Sequence, residues 1–516
     1  MSGRGGKSRR DRRRGGRGGR SVDPDAPLEV ERYRELIPDF DRFLEVVRTR
    51  EPRTLRVNTV RITPEDLRAR LEAKGYGVHA VDQQPDFFRI TGEREDGRPP
   101  VSDTVEHWAG HFYIQQTVTG WAAPLLDPQP GERVLDLCSA PGGKTTHLAA
   151  WMRGQGVVVA SEVSEARIRA LLANVYRMAH PNVMVVATDA RDFPEGATFD
   201  RVMVDVPCSA EGTLRKKAGV IPRKSKGARR KLVRIQEALL RRAIDLTRPG
   251  GTLLYCTCTI DPAENEGVLS EVLKDAPVEV DPIEMPVPHE PGVESWEEET
   301  YDPQMKHAVR MYPHLHDSGG LFLCRLRKAG DAPTVGWSPV PEVFPEDERY
   351  PDQELPTPTE AIAEVGNHWG LAPELMDRLG FMRRGTNIWV HALDAWPLDS
   401  WKAGGGWRSI ANGFRAFDLS GKGYPRPTND LLQLLDDDVG NRRVELSPER
   451  WEDLLAGRRV ILEEPSRGYV ALVLGGEVVG RGFVRNGVLA SQIPRGRTRW
   501  LRAAVALEAR VAAGEL

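Results

Sequence analysis

The chain has 516 residues, of which 40% are hydrophobic and 28% charged, and its formal net charge is −3. This composition is typical of a globular protein with about three domains, and it excludes a chain that is disordered throughout. No apolar run reaches the roughly 18 residues that a membrane-spanning helix needs, and the five cysteines are too few for a disulfide scaffold. We therefore expect a cytoplasmic protein with no secretory signal and no membrane contact.

The net charge conceals a basic N-terminal tail, residues 1–22. The tail contains eight arginines, one lysine and one aspartate, so the rest of the chain is acidic. Because it has almost no apolar residue to pack, we predict that it is disordered. Arginines separated by glycines suit contact with the phosphates and bases of single-stranded RNA. A solvated tail without a binding role is the alternative.

A small α+β module is predicted over residues 24–115. The apolar spacing of residues 28–47 predicts a helix, and residues 56–60 alternate as a strand. Thr63 and the Pro-Glu-Asp that follows it have the N-cap, N1 proline and N3 acid of a helix start. A strand, helix and strand of this length are compatible with an RNA-recognition-like module, although the aromatic signature of such modules is absent.

Residues 116–330 alternate short apolar runs with helical patterns. Five runs rich in Val, Leu and Ile are predicted as strands, at 133–137, 157–162, 183–187, 199–205 and 251–255. Helical patterns lie between or after them, at 144–152, 164–178, 230–246 and 264–275. Near-continuous apolar runs indicate strands that are covered on both faces, so we predict a doubly wound, mostly parallel α/β sheet.

The C-terminal part of the chain is predicted to form a separate α+β region. Residues 331–358 are rich in Pro, Glu and Asp and are predicted to be a linker, which separates residues 360–516 from the sheet. That last region has helical patterns near 360–380 and 446–456 and short strands, punctuated by glycines, that suggest a compact β barrel.

The loop after the first strand of the α/β sheet predicts a cofactor site. Small residues here let a cofactor approach the backbone, and the helix that follows offers its N-terminal N–H groups. A Walker A loop would need glycine where Cys138 stands, and the Gly-x-Gly-x-x-Gly fingerprint does not fit either. The remaining class is a nucleoside with an amino-acid tail, S-adenosylmethionine. The candidate residues are Cys138, Ser139, Ala140, Pro141, Gly142, Gly143 and Lys144.

Carboxylates follow three further strands of the same sheet. Glu162 ends the second strand, where an acid can bind both ribose hydroxyls. Asp189 follows the third strand and can accept a hydrogen bond from the adenine amino group, and Asp205 ends the fourth strand beside the reacting centre. We expect the three acids to share one edge of the sheet, although surface solvation of all three is the alternative.

Thiols are predicted at the same edge, in Asp205-Val206-Pro207-Cys208 and in Cys256-Thr257-Cys258. Because alternate residues of a strand face opposite ways, we expect only one of Cys256 and Cys258 to reach the pocket, which leaves two thiols there. No metal is expected, because a second pair of ligands is missing. A redox pair would leave the methyl-donor pocket unexplained. Methylation of cytosine at carbon 5 accounts for the set: a thiolate adds to carbon 6, carbon 5 attacks the methyl sulfonium, and a base removes the carbon 5 proton. Asp205 and the two loop cysteines can supply the acid, the nucleophile and the base.

These motifs resemble those of the RsmB/RsmF (Sun) family of RNA cytosine-5 methyltransferases. The resemblance runs from the N-terminal module to residue 328, and it is carried by residues 56–59, 113–116, 138–144, 205–208, 257–259 and 265–266. It implies a Rossmann-like class I methyltransferase domain in which residues 138–144, Glu162, Asp189 and Asp205 contact S-adenosylmethionine. It also implies that Cys258 is the nucleophile and that Cys208 assists release of the methylated RNA.

The C-terminal region resembles the PUA-like RNA-binding extension of RsmF-type members. We therefore expect an RNA partner, with rRNA favoured and tRNA possible, and a monomer by default. The basic run at residues 215–231 could grip phosphates around the target base or be a solvated loop. One rival hypothesis is a non-catalytic RNA-binding or ribosome-assembly factor. Another is a DNA cytosine methyltransferase, in which the Pro-Cys thiol attacks and the roles of Cys208 and Cys258 are exchanged.

Overall fold

The structure is a computed structural model. The predicted tail at residues 1–22 lies outside the described residues, and so does most of the predicted linker at 331–358. The described residues are 30–193, 198–217, 225–333, 356–371, 374–375, 379–392, 408–420, 426–463 and 467–516. No helix among them is both long enough and apolar enough to cross a membrane.

The N-terminal module is a four-stranded antiparallel sheet in the order β2-β3-β1-β4 with helices packed against it. The helix predicted at 28–47 begins only at Phe40, because Pro38 disfavours the helical conformation before it. Thr63 caps its helix as predicted, accepting a hydrogen bond from the Asp66 amide at 3.1 Å. The elements are α1 (Phe40–Arg48), β1 (Arg53–Val57), α2 (Pro64–Glu72), β2 (Gly77–Val81), β3 (Gln84–Thr91), α3 (Val105–Trp108) and β4 (Phe112–Ile114).

The central sheet confirms the predicted doubly wound α/β fold. Its five parallel strands follow the order β7-β6-β5-β8-β9. Strands β6 and β7 extend the sheet on one side of β5, and β8 and β9 extend it on the other, so the strand order reverses between β5 and β8. The first elements are α4 (Thr117–Gly120), α5 (Ala122–Leu126), β5 (Arg133–Asp136), α6 (Gly143–Trp151), β6 (Val157–Glu162), α7 (Glu165–Arg177) and β7 (Val183–Ala187). They are followed by β8 (Phe199–Asp205), α8 (Lys226–Leu246), β9 (Thr247–Thr257) and α9 (Glu266–Leu273).

Antiparallel strands extend the sheet beyond β9. A strand at residues 321–328 pairs with β9, and shorter strands pair with it in turn. Apolar side chains fill both sides of the sheet in two clusters of buried residues, as near-continuous Val and Leu runs require. The elements are β10 (Val278–Val280), β11 (Glu290–Pro291), β12 (Ser295–Trp296), β13 (Glu299–Thr300), β14 (Val309–Met311), α10 (Pro313–His316) and β15 (Leu321–Lys328).

The C-terminal region also contributes to the central sheet, although the sequence suggested a separate unit. A strand at residues 408–412 pairs antiparallel with β7 and so forms one edge of the sheet, at the end opposite β11. The helix predicted near 360–380 ends at Trp369, because Gly370 adopts a left-handed φ of +64°. This part comprises α11 (Pro358–Trp369), β16 (Leu379–Arg384), β17 (Asn387–Ala392), β18 (Arg408–Asn412), β19 (Phe414–Asp418) and β20 (Arg426–Pro427).

The last residues form a five-stranded sheet in the order β21-β23-β24-β25-β22. Two helices cover its buried side, and their apolar residues form a core with it. The likeness of this region to PUA domains stays a prediction. The elements are α12 (Asn429–Leu435), β21 (Arg443–Glu445), α13 (Pro448–Leu455), β22 (Val460–Ile461), β23 (Gly468–Leu474), β24 (Glu477–Arg485), β25 (Val488–Ser491) and α14 (Thr498–Ala512).

Candidate active site

The two loop thiols meet at the carboxyl edge of the central sheet. Strands β8 and β9 are parallel neighbours, and Asp205 lies opposite Cys256 in their register. The loops that follow them therefore run side by side, and the Sγ atoms of Cys208 and Cys258 are 3.3 Å apart. Both thiols border a cavity of about 430 Å³, which Cys138, Glu162, Asp189 and Asp205 also line.

The loop after β5 is held rigidly beside this cavity. Ser139 is buried, and its hydroxyl donates to the Ser161 carbonyl at 2.9 Å. Helix α7 anchors the loop: Arg167 donates to the Ala140 carbonyl at 2.6 Å, and Asn174 donates to the Pro141 carbonyl at 2.9 Å. Of the seven loop residues that the sequence singles out, Cys138 lines the cavity directly.

The glycines of the loop are required by close neighbours. Gly142 has a φ of +106°, which favours glycine, and a Cβ there would lie 3.0 Å from Leu171. A Cβ at Gly143 would lie 3.3 Å from the ring of Tyr113 in the N-terminal module. The loop can therefore turn sharply into α6, which begins at Gly143.

Two acids give the cavity hydrogen-bond acceptors for a nucleoside. Glu162 is buried, accepts from the Ser164 amide at 2.9 Å and pairs with Arg167 at 2.9 Å. Asp189 accepts two bonds from the Arg191 guanidinium, at 2.9 and 2.6 Å, and one from the Arg191 amide at 3.0 Å, and these bonds lower the pKa of Asp189. The exposed side chain of Val163 adds an apolar wall. Acceptors for hydroxyl and amino groups beside an apolar wall fit a nucleoside such as S-adenosylmethionine.

Lys144 does not line the cavity but pairs with Asp205, which does. The Lys144 Nζ lies 2.6 Å from Asp205 Oδ2. Burial opposes the charge on Lys144, but the Asp205 carboxylate prevails and raises the pKa of the lysine. The pair therefore places a fixed carboxylate between the cofactor loop and the thiols.

Asp136, at the end of β5, is a buried acid that the sequence reasoning did not single out. Burial raises its pKa to about 7, although Thr145 donates a hydrogen bond to its Oδ2 at 2.7 Å. Its position two residues before Cys138, at a strand end, was the available signal.

The two thiols differ in acidity. The hydrogen bond from Cys208 lowers the pKa of Cys258, and the charges of Lys144 and Lys216 act in the same direction, whereas burial opposes them. The same hydrogen bond and burial raise the pKa of Cys208. These interactions favour the thiolate at Cys258 over the thiolate at Cys208, and the thiolate is the reactive form of cysteine.

Cys256 is not equivalent to the other two cysteines. It is fully buried, its Sγ lies 3.7 Å from Asp205 Oδ1, and burial raises its pKa.

Among the described residues, no group of three or more His, Cys, Asp and Glu side chains could hold a metal ion.

A network of polar side chains stabilises the Cys258 loop. Thr257 donates to Asn265 Oδ1 at 2.6 Å, and Asn265 donates to the Thr259 carbonyl at 3.1 Å. Glu264, which is also buried, accepts from the Ser209 amide and from Gln236, both at 2.9 Å, and so joins the two thiol loops. Gln236 is distant in sequence and carried no motif signal.

A buried ion pair supports the same loop from below. The Arg310 guanidinium on β14 donates to Glu266 Oε1 at 2.7 Å and to the Ile260 carbonyl at 2.9 Å. Both side chains are buried. The pair thus connects the first turn of α9 and the Cys258 loop to the antiparallel end of the sheet.

A second groove, of about 680 Å³, lies between the N-terminal module and Arg215 and Lys216, which follow the Cys208 loop. Its cations include Arg50, Arg94 and Lys216, which are exposed. Arg215, from the predicted basic run, instead anchors the groove floor, donating to Thr49 Oγ1 at 2.9 Å. Residues 218–224 of that run lie outside the described residues, and Arg229 is paired with Asp261.

Comparison with known proteins identifies close relatives of the chain. A family model described as "16S rRNA methyltransferase RsmB/F" matches residues 123–327. A model for the ferredoxin-like domain of RsmF/B-like methyltransferases matches residues 30–95.

Curated relatives align with most of the chain. It is 31% identical over 389 residues to ribosomal RNA small subunit methyltransferase F of Erwinia tasmaniensis, covering 72% of this chain and 76% of that protein. The protein of the same name from Shigella boydii serotype 4 is 31% identical over 451 residues, covering 85% and 88%. A solved methyltransferase homologue from Pyrococcus horikoshii is 32% identical with a TM-score of 0.51, covering 58% of this chain and 92% of that one.

Proposed function

Because the chain belongs to the RsmB/F family of rRNA methyltransferases, we propose that it methylates carbon 5 of a cytosine in structured RNA. The family resemblance predicted from the motifs is thereby confirmed, together with the dependence on S-adenosylmethionine. Small-subunit rRNA is the favoured substrate, and tRNA is the alternative. The observation that carries the proposal is the contact of two thiols, 3.3 Å apart, beside the cofactor cavity.

In the proposed reaction, Cys258 supplies the nucleophile. Its thiolate forms a bond to carbon 6 of the cytosine, and the electron pair of the 5,6 double bond moves to carbon 5. Bound S-adenosylmethionine would supply the methyl group to carbon 5 and would leave as S-adenosylhomocysteine. Asp205, which Lys144 holds in place beside the cavity that both thiols line, would favour protonation at ring nitrogen 3.

Release of the product requires the second thiol. A base takes the carbon 5 proton, the electron pair of that C–H bond restores the 5,6 double bond, and the carbon 6–sulfur bond breaks to release the Cys258 thiolate. Cys208, with its sulfur 3.3 Å from that of Cys258, is placed to assist this elimination. The raised pKa of Cys208 and the lowered pKa of Cys258 support this assignment over the exchanged roles of DNA cytosine methyltransferases.

The groove between the N-terminal module and residues 215–216 suits an RNA strand. Arg50, Arg94 and Lys216 supply positive charge for phosphates. A paired cytosine would have to leave its stack to reach Cys258. The monomeric state and the cytoplasmic location stay predictions.

A trapping experiment tests the proposed mechanism. Protein carrying Cys208→Ala is incubated with S-adenosylmethionine and unmodified small-subunit rRNA, or with tRNA, and the mixture is separated under denaturing conditions. We expect a stable protein–RNA adduct, because methyl transfer proceeds while elimination is slow. Adding Cys258→Ala to this variant is the matched control and should abolish the adduct. Sequencing the trapped RNA identifies the modified cytosine.

The other outcomes discriminate between the alternatives. An adduct that forms with Cys258→Ala and depends on Cys208 would exchange the two roles. Adducts or methyl transfer on duplex DNA alone would favour a DNA methyltransferase. The wild type could also bind RNA without transferring a methyl group, with an affinity that neither S-adenosylmethionine nor Cys258→Ala changes. That result would favour a non-catalytic RNA-binding factor.

A further inference from the structure

A segment that precedes the N-terminal sheet reaches the active-site loops. Tyr33 is fully buried, and its hydroxyl donates to Glu211 Oε2 at 2.7 Å. Its neighbour Arg32 donates to Glu211 Oε1 at 3.0 Å and lies 3.4 Å from Asp261. These contacts bridge 178 to 229 residues of sequence, and neither the motifs nor the proposed chemistry accounts for them.

Glu211 stands at the junction of the two thiol loops. It lies three residues after Cys208, and its Oε2 accepts a hydrogen bond from Thr259, next to Cys258, at 3.3 Å. The hydroxyls of Thr259 and Ser209 are 2.6 Å apart. The Gly212 amide donates to the Cys258 carbonyl at 2.8 Å. The loops are therefore connected by three polar contacts at or just after the thiols.

Apolar packing places the same segment over both loops. Tyr33 and Phe43 belong to one buried cluster with Leu214, from the helical turn after Cys208, and Ile260, from the Cys258 loop. The segment thus contacts each loop independently. The aromatic rings pack in this cluster without direction, and the Tyr33 hydroxyl adds a directional hydrogen bond to Glu211.

We propose that Tyr33 and Arg32 act through Glu211 as positioning residues, which hold the Cys208 and Cys258 loops in the register that brings the two thiols into contact. The inference rests on the proposed roles of those thiols. Small displacements at a reacting centre cost rate far more than they cost stability. The N-terminal segment is then a part of the active site's support, rather than only an attachment of the RNA-binding module.

The test compares two buried tyrosines. Tyr33→Phe keeps the ring and removes the bond to Glu211, together with the bond that the hydroxyl accepts from Arg32. Tyr76→Phe is the matched control, because Tyr76 is equally buried and its hydroxyl donates a single bond, to the Pro99 carbonyl at 2.8 Å, away from the thiols. We expect Tyr33→Phe to slow single-turnover methyl transfer about tenfold with KM for RNA and for S-adenosylmethionine unchanged. Tyr76→Phe should transfer methyl at the wild-type rate.

Thiol reactivity supplies a second readout that needs no RNA. The pH dependence of Cys258 alkylation, followed by peptide mass mapping, reports its pKa. The charged and titratable groups that face it are Cys208, Asp205, Lys144 and Lys216. If Tyr33→Phe loosens the contact with Cys208, the alkylation midpoint should move to higher pH. Glu211→Gln, which keeps an acceptor oxygen, should retain more activity than Glu211→Ala.

Three results would overturn the inference: a wild-type rate and midpoint in Tyr33→Phe, an equal loss in Tyr76→Phe, or no difference between the two Glu211 variants. A wild-type protein that neither methylates nor traps RNA would instead contradict the proposed function. In that case the alkylation midpoint still decides whether Tyr33 positions the thiols.

Discussion

Asp136 shows how one side chain can make the stability of the protein depend on pH. Burial raises its pKa to about 7, so the folded protein retains a proton that the unfolded chain releases at lower pH. Stability therefore falls as the pH rises towards about 7, by up to about 1.4 kcal/mol per pH unit. Asp136→Asn removes this contribution. We expect its melting temperature to fall less than that of the wild type between about pH 5 and about pH 8.

The comparison is made by thermal unfolding of both proteins in the same buffers. The melting temperature of Asp136→Asn minus that of the wild type should be larger above pH 7 than at pH 5. Parallel curves would show that Asp136 ionises in the folded protein as it does in the unfolded chain.

At the scale of elements, the buried pair of Glu266 and Arg310 joins α9 to β14 and supports the Cys258 loop. Removing one partner leaves an uncompensated buried charge, which costs about 3–5 kcal/mol. Glu266→Gln should therefore destabilise the protein by about this amount and slow methyl transfer. The double variant with Arg310→Met should lose less than the two single variants together. Urea unfolding measures each effect.

The control lies on the same helix. Glu271 is exposed and pairs with Lys274 at 2.6 Å. Because such surface pairs contribute little, Glu271→Gln should leave unfolding and activity nearly unchanged. An equal loss in Glu266→Gln and Glu271→Gln would contradict the assigned role of the buried pair.

At the scale of the whole molecule, β18 attaches the C-terminal region to the central sheet. Gly413, which follows it, has a φ of +62° and donates to the Val183 carbonyl at 2.9 Å. A Cβ there would lie 1.9 Å from the Val390 carbonyl oxygen, so Gly413→Ala must move the backbone. We expect faster amide hydrogen exchange along β7 and a lower melting temperature.

Gly385→Ala is the control, because it introduces the backbone strain of a positive φ without the steric clash that Gly413→Ala also introduces. Gly385 has a φ of +58°, and a Cβ there would meet no atom within 4 Å. Its alanine variant should show only the left-handed penalty of about 1–2 kcal/mol, with exchange along β7 unchanged. Similar exchange in both variants would mean that β18 does not protect β7.

The sequence predicted the parts of the fold whose signal is local. Strands β5 to β8 lie where their apolar runs indicated, and the cofactor loop and thiols follow from the motifs. What it could not predict are pairings between distant segments. Nothing in residues 408–412 specifies β7 as a partner, and Tyr33 carries no local sign of its bond to Glu211. Such contacts depend on tertiary packing, which periodicity does not encode.

The pairing of β18 with β7 has a consequence for how the protein is made. Strand β18 leaves the ribosome about 220 residues after β7, which corresponds to roughly 10–40 s of translation at typical rates. During that interval the nascent catalytic domain exposes an unpaired strand edge, a surface on which chains aggregate. We expect synthesis to pass through a stage that needs chaperone protection. Premature termination between the two strands should then yield insoluble products, even though the thiols and the cofactor loop have already been synthesised.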